Sequence, residues 1–154
     1  MTMTLMLMRH GDDNGDGLSY LGKRQVAAVA DDMLRLSYRP DVLLHSSLAR
    51  AKESADIVRG VFRKAGRVIT DVRSSDAISC GNILPEVSAL MMCDETVLVI
   101  GHMPGISATV WELAKFDYAP GNADTLVITC GIDRWSELPR IDRTHSSHLK
   151  VLEP

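Results

Sequence analysis

The chain is short of cysteine, of long apolar runs and of surplus positive charge, and each shortage excludes something. Its three cysteines, Cys80, Cys93 and Cys130, lie far apart without a C-x-x-C pair, which fits neither a disulfide framework nor a zinc site and makes a reducing cytoplasm the expected compartment. The apolar stretch before Arg9 is only a few residues long, far below the roughly 20 that span a bilayer. No small-residue cleavage site follows it, so neither a membrane segment nor a targeting segment is expected. Seventeen basic residues against 20 acidic ones leave a net charge of −3, and this removes the broad cationic surface that nucleic acid requires. Any anion site must be local. Internal repeats and low-complexity linkers are also missing, so the 154 residues read as one domain, 1–154, able to bury a substantial core.

What is present is an alternation of strand and helix patterns. Leu5-Met6-Leu7-Met8 is a short apolar run of the buried-strand kind, ending at Arg9-His10-Gly11 and a loop rich in glycine and aspartate. Val26, Val29, Met33 and Leu36 recur at helical spacing, with Ser19 placed to cap the helix. Arg39-Pro40-Asp41 stops that pattern, Val42-Leu43-Leu44 is a second strand, and Leu48, Ala51, Ala55, Val58 and Phe62 share one face of a second helix. A third strand is expected over Val68–Val72 and a fourth over Thr96–Ile100, where β-branched residues dominate. Pro104 suits the first turn of a helix carrying Ile106, Val110 and Leu113; a last strong strand covers Thr125–Thr129. Asp133–Ile141 is expected as an edge strand, and about 144–154 as a poorly ordered tail. The alternation predicts an α/β fold with a mostly parallel sheet covered on both faces.

The chemistry-bearing residues fall where strands end, which is where open α/β sheets place ligands. His10 and Arg9 follow the first strand, Ser46-Ser47-Leu48-Ala49-Arg50-Ala51 follows the second, and Gly101-His102-Met103-Pro104 follows the fourth. Two arginines and two histidines on one sheet edge suit a doubly charged phosphoryl group, because guanidinium gives permanent bidentate donors and imidazole serves as nucleophile or donor.

Together L-M-R-H-G at 7–11, L-S-x-x-G-x-x-Q at 18–25, S-S-x-x-R-A at 46–51 and G-H-x-P at 101–104 resemble the histidine phosphatase superfamily, which includes the cofactor-dependent phosphoglycerate mutases. Length and spacing are most similar to its short bacterial phosphohistidine phosphatases of the SixA type. The resemblance implies a phosphoglycerate mutase-like, three-layer α/β/α sandwich. It further implies a metal-independent phosphatase with no cofactor, in which His10 attacks phosphorus while Arg9, Arg50 and His102 hold the phosphoryl oxygens. The implied partner is a phosphorylated substrate, either a phosphohistidine-bearing protein or another activated phosphate. A small-molecule phosphomonoesterase and a phosphoprotein-binding regulator without turnover are the alternatives. Many members place a glutamate general acid after the third strand; here that stretch, Ser74–Gly81, offers the shorter Asp76, with Glu86 a weaker candidate at a helix start. Asn14 and Ser47 are secondary candidates for substrate contact.

Plainer readings stand beside these. Arg50 alone would be an ordinary helix residue, and Ser46 or Ser47 a helix cap. Asp12-Asp13-Asn14-Gly15-Asp16-Gly17 imitates a calcium loop, yet the position of the bidentate acid is Lys23 and a strand precedes the loop. His145 and His148 lack nearby acids or cysteines and read as solvated tail, and Met1, Met3, Met6 and Met8 as start residue and strand packing.

Overall fold

A computed structural model describes residues 2–91, 93–140 and 146–154. The strands are β1 (Met3–Arg9), β2 (Val42–Ser46), β3 (Asp71–Ser75), β4 (Thr96–Gly101), β5 (Thr125–Cys130) and β6 (Ser146–Leu152). Between them lie helices α1 (Tyr20–Arg35), α2 (Ala49–Lys64), α3 (Asp76–Ser79), α4 (Ile83–Ser88) and α5 (Gly105–Ala114), and a 3-10 helix spans Trp135–Arg140. The strands form one six-stranded sheet in the order β3-β2-β4-β1-β5-β6. The pairs β2–β3, β2–β4 and β1–β4 are parallel, whereas β1–β5 and β5–β6 are antiparallel.

Strand residues alternate between two apolar cores, one on each face. Met3, Leu5 and Leu7 join Val97, Val99, Val42, Leu44, Leu126 and Ile128 beneath α4 and α5. Met6 and Met8 join Leu98, Ile100, Leu43 and Val127 beneath α1 and α2, against Val26, Val29, Met33, Ala55, Val58 and Phe62. The central strands are therefore apolar on both faces, which is why they read as unbroken hydrophobic runs. This is the expected three-layer α/β/α arrangement with a mostly parallel sheet. No helix among the described residues is long and apolar enough to cross a membrane.

Three expectations need correction. The third strand lies at Asp71–Ser75 rather than Val68–Val72, because Ile69 is drawn into the core below α2 before the edge strand begins. Asp133–Ile141 is not an edge strand: Trp135–Arg140 is a 3-10 helix that inserts the fully buried Trp135 and Leu138 into the core, and Ile141 lies outside the described residues. In the supposed tail, Ser146–Leu152 forms the true edge strand, β6, paired with β5 from Leu152↔Thr125 to Ser146↔Cys130. His145 lies outside the described residues, and His148 contributes a backbone pairing with Thr129.

The topology creates the site. The chain leaves β1 towards α1 on one face of the sheet and leaves the adjacent β4 towards α5 on the other. Neighbouring parallel strands whose connections diverge open a crevice at their carboxyl ends. His10 and His102 are the first residues past those ends.

Candidate active site

His10 is buried, and its Nδ1 lies 2.7 Å from the carbonyl oxygen of Gly11. A carbonyl only accepts, so Nδ1 carries the ring proton and Nε2 presents a bare lone pair. Into that lone pair Arg50 donates its Nε–H at 3.2 Å. His102 packs beside it, the ring centroids 5.1 Å apart, with its Nε2 2.6 Å from Ser46 Oγ. Arg9 is anchored by Nη1 donating to the Pro120 carbonyl at 3.0 Å, while its Nε and the Nδ1 of His102 are buried without a partner. Unpaired buried nitrogens beside a nucleophile-like nitrogen, the Arg9 Nε–H donor among them, are what a site built for an anion leaves open.

Electrostatics agree with this geometry. Burial first, and then the Arg50 and Arg9 charges, hold the His10 pKa below its ordinary value of 6.5 against the opposing pull of the Gly11 hydrogen bond. Burial, together with His10 and the two arginines, pushes His102 down to about 4. Both rings are therefore neutral at pH 7. Because the unfolded chain protonates first as pH falls, this part of the stability is complete above pH 6.5 and is lost as pH drops towards about 4. Urea unfolding across that interval is expected to show declining stability, with a shallower decline in His102→Gln, and an NMR titration should place the His10 midpoint below 6.5.

A polar scaffold holds the loop after β1. Ser54 Oγ accepts from Gly11 N–H at 3.2 Å and donates to the Arg50 carbonyl at 2.7 Å, tying the His10 loop to the helix turn that carries Arg50. Asp12 N–H donates to Gln25 Oε1 at 3.0 Å, and the Asp12 carboxylate accepts from Ser19 Oγ at 2.6 Å and from Asn122 Nδ2 at 3.3 Å. Ser19 caps α1 through Gly22 N–H, as its sequence position suggested. Glu53 Oε2 accepts from Leu18 N–H at 2.6 Å. Thus the block L-S-x-x-G-x-x-Q braces the loop rather than touching His10.

The secondary candidates are placed less centrally. Asn14 is exposed and its Oδ1 accepts from Asp16 N–H within the same turn; Asp13 Oδ1 likewise accepts from Gly15 N–H. Among the described residues no cluster of three or more histidine, cysteine or acidic side chains could hold a metal. Ser47 is exposed, 3.0 Å from Ser79 Oγ, and neither it nor Ser46 is the cap of α2, a position taken by Leu48. Asp76 is exposed at the head of α3, and Glu86 lies half-buried in the first turn of α4. Sequence reasoning missed Ser54, Glu53 and Ser79. Ser54 could have been found as the residue one turn beyond Arg50 on the same helix face, whereas Ser79 left no such signal.

One cavity is lined in part by His102 and another by Arg50. The first, of about 280 Å³, is lined by Ser79, Cys80, Gly81, His102, Met103 and Pro104 among others. The second, of about 230 Å³, is lined by Asp13, Gly15, Gly17, Leu48, Ala49 and Arg50.

No family model matches the sequence, and no curated protein matches it. Solved structures do. A protein from Nakamurella multipartitia assigned as a phosphohistidine phosphatase SixA is 26% identical, with a TM-score of 0.73 over 100% of this chain and 97% of that one. The fold is that of the histidine phosphatases. Among histidine phosphatases of known structure, the protein histidine phosphatase SixA complexed with tungstate shares 18% identity and a TM-score of 0.71, over 99% of this chain and 97% of that one. Phosphoglycerate mutase from Plasmodium falciparum shares 17% and 0.64, over 100% of this chain and 91% of that one.

Proposed function

We propose that the chain is a metal-independent phosphatase that works through a phosphohistidine formed on His10, acting on protein phosphohistidine or another activated phosphate. The observation that carries this reading is the locked tautomer of His10, with Nδ1–H on the Gly11 carbonyl and Nε2 bare beside Arg50. In the first step Nε2 attacks phosphorus, the bond from phosphorus to the leaving atom breaks, and the leaving group takes a proton. In the second, water attacks phospho-His10, releasing inorganic phosphate and restoring neutral imidazole. Arg9, Arg50 and His102 stabilise the charge that spreads over the phosphoryl oxygens, at a site already partly desolvated.

A nitrogen leaving group needs less help from an acid than an alkoxide does, and the one carboxyl in the stretch expected to carry the acid, Asp76, is exposed. This supports phosphoramidate-type substrates, with Asp76 serving alkyl esters. Asp76→Asn is expected to slow hydrolysis of alkyl phosphates by about 10²-fold and to leave phosphoramidate hydrolysis within a few fold. Equal losses on both substrates would remove Asp76 from that role. The reading as a whole is tested with p-nitrophenyl phosphate and phosphoramidate in excess chelator, together with trapping of an acid-labile phosphoenzyme. Vanadate binding with no turnover and no phosphoenzyme would mark a phosphate-binding regulator instead.

A further inference from the structure

Behind His102 lies a chain of hydroxyl groups in which Ser46, the first residue of the S-S-x-x-R-A motif, meets Ser79, which lies outside all four motifs. Ser46 ends β2 and is 0% exposed. Its Oγ lies 2.6 Å from His102 Nε2, accepts from Leu48 N–H at 3.2 Å, and lies 2.7 Å from Ser79 Oγ. Ser79, at the end of α3, accepts from Ser47 N–H at 3.1 Å. Backbone N–H groups can only donate, so each serine oxygen has one lone pair already taken and one hydroxyl proton to place. The 2.6 Å separation from His102 Nε2 is below the usual N–H···O range, and hydrogen bonds donated by hydroxyls run shorter than those donated by N–H. The Ser79 proton has two acceptors, the Ser75 carbonyl at 3.4 Å and Ser46 Oγ at 2.7 Å; the shorter contact takes it, and the direction runs from Ser79 to Ser46 to His102.

The other ring nitrogen supplies the independent observation. His102 Nδ1 is buried and has no partner. A bare lone pair there would repel an incoming anion, whereas an N–H would be a ready donor. Leaving a buried donor unpaired costs roughly 1–3 kcal/mol, a cost recovered when a ligand oxygen arrives.

We propose that Ser46, backed by Ser79, is a positioning residue that sets the tautomer of His102: the Ser46 hydroxyl donates to Nε2, so the single ring proton sits on Nδ1 and is held for a phosphoryl oxygen. The identity of the anion and the use of the Nδ1 proton rest on the phosphatase reading; the direction of the Ser46 hydrogen bond does not. His102 then acts as a neutral, directional donor beside the charged Arg9 and Arg50. It complements His10, whose proton is also on Nδ1 but is spent on the Gly11 carbonyl.

The test uses the full ¹⁵N-labelled chain and orthovanadate as probe. Long-range ¹⁵N–¹H spectra are expected to show His102 with a protonated Nδ1 and a bare Nε2. In Ser46→Ala that signature should give way to mixed tautomers and vanadate affinity should fall about tenfold, the scale of one hydrogen bond to a charged ligand. Ser46→Thr, which keeps the hydroxyl, should recover both. If Ser46→Ala does not fold, Ser79→Ala takes its place, with a smaller shift in the same direction. A proton on Nε2 in the unsubstituted chain overturns the proposal, as does a Ser46→Ala variant that keeps both tautomer and affinity. The tautomer is read without turnover, so an inactive chain with Nδ1 protonated would defeat the phosphatase reading alone.

Discussion

His10→Ala is expected to reduce hydrolysis of phosphoramidate and p-nitrophenyl phosphate by about 10⁴-fold or more, the scale on which loss of a covalent nucleophile registers. The phosphoenzyme should vanish with it. The size of the effect follows from the ring's environment: Nε2 is the unprotonated nitrogen of a neutral imidazole that accepts from Arg50, whereas Nε2 of the neighbouring His102 is engaged by Ser46. The loop itself should survive, since Gly11 stays tied to Ser54 and Asp12 to Gln25. The thermal midpoint is therefore expected within a few degrees of the unsubstituted chain, about a 1 kcal/mol effect. Undiminished hydrolysis in a folded His10→Ala variant would sink the nucleophile assignment.

Gly22→Ala is expected to act in the opposite way, on folding before chemistry. Within a helix this exchange ordinarily stabilises by up to about 1 kcal/mol. Here an added Cβ would stand 2.0 Å from the Asp12 carbonyl oxygen and 2.8 Å from its nitrogen, both backbone atoms with no side-chain freedom to yield. The contact is reciprocal, because a Cβ on Gly11 would lie 2.6 Å from the Gly22 carbonyl oxygen. Helix α1 and the His10 loop touch backbone to backbone, and relief requires moving one from the other. A loss of about 3 kcal/mol or more follows from overpacking of this kind, which lowers the thermal midpoint by about 10 °C in a domain of this size. A midpoint equal to or above that of the unsubstituted chain would show that the loop can shift freely.

The legible parts of the fold were those governed by local periodicity. Val26, Val29 and Met33 marked α1 because helix burial repeats every three to four residues, and Thr96–Ile100 marked β4 because a strand buried on both faces is apolar throughout. The edges were illegible for the same reason. At β6, Leu149 and Val151 are about 40% exposed while Leu152 is buried, so no clean alternation betrays the strand; its partner β5 makes it one. At β3 the residues Asp71, Val72, Arg73, Ser74 and Ser75 carry little burial signal. The Trp135–Arg140 segment presented a strand-like mixture, yet burial of Trp135 and its indole hydrogen bond to the Asp94 carbonyl hold it as a 3-10 helix.

By itself the sequence determined the alternation of elements and the positions of His10, Arg9, Arg50 and His102 at strand ends, since hydrophobic pattern and turn residues are properties of neighbours in the chain. Only the tertiary structure decided the strand order that sets β1 against β4, the side of His10 that faces Arg50, and the serine chain behind His102. The last two of these join residues 40, 56 and 33 positions apart. A proton's place on an imidazole depends on which atoms stand within 3 Å or so of each nitrogen, and that is fixed by packing, not by adjacency in the chain.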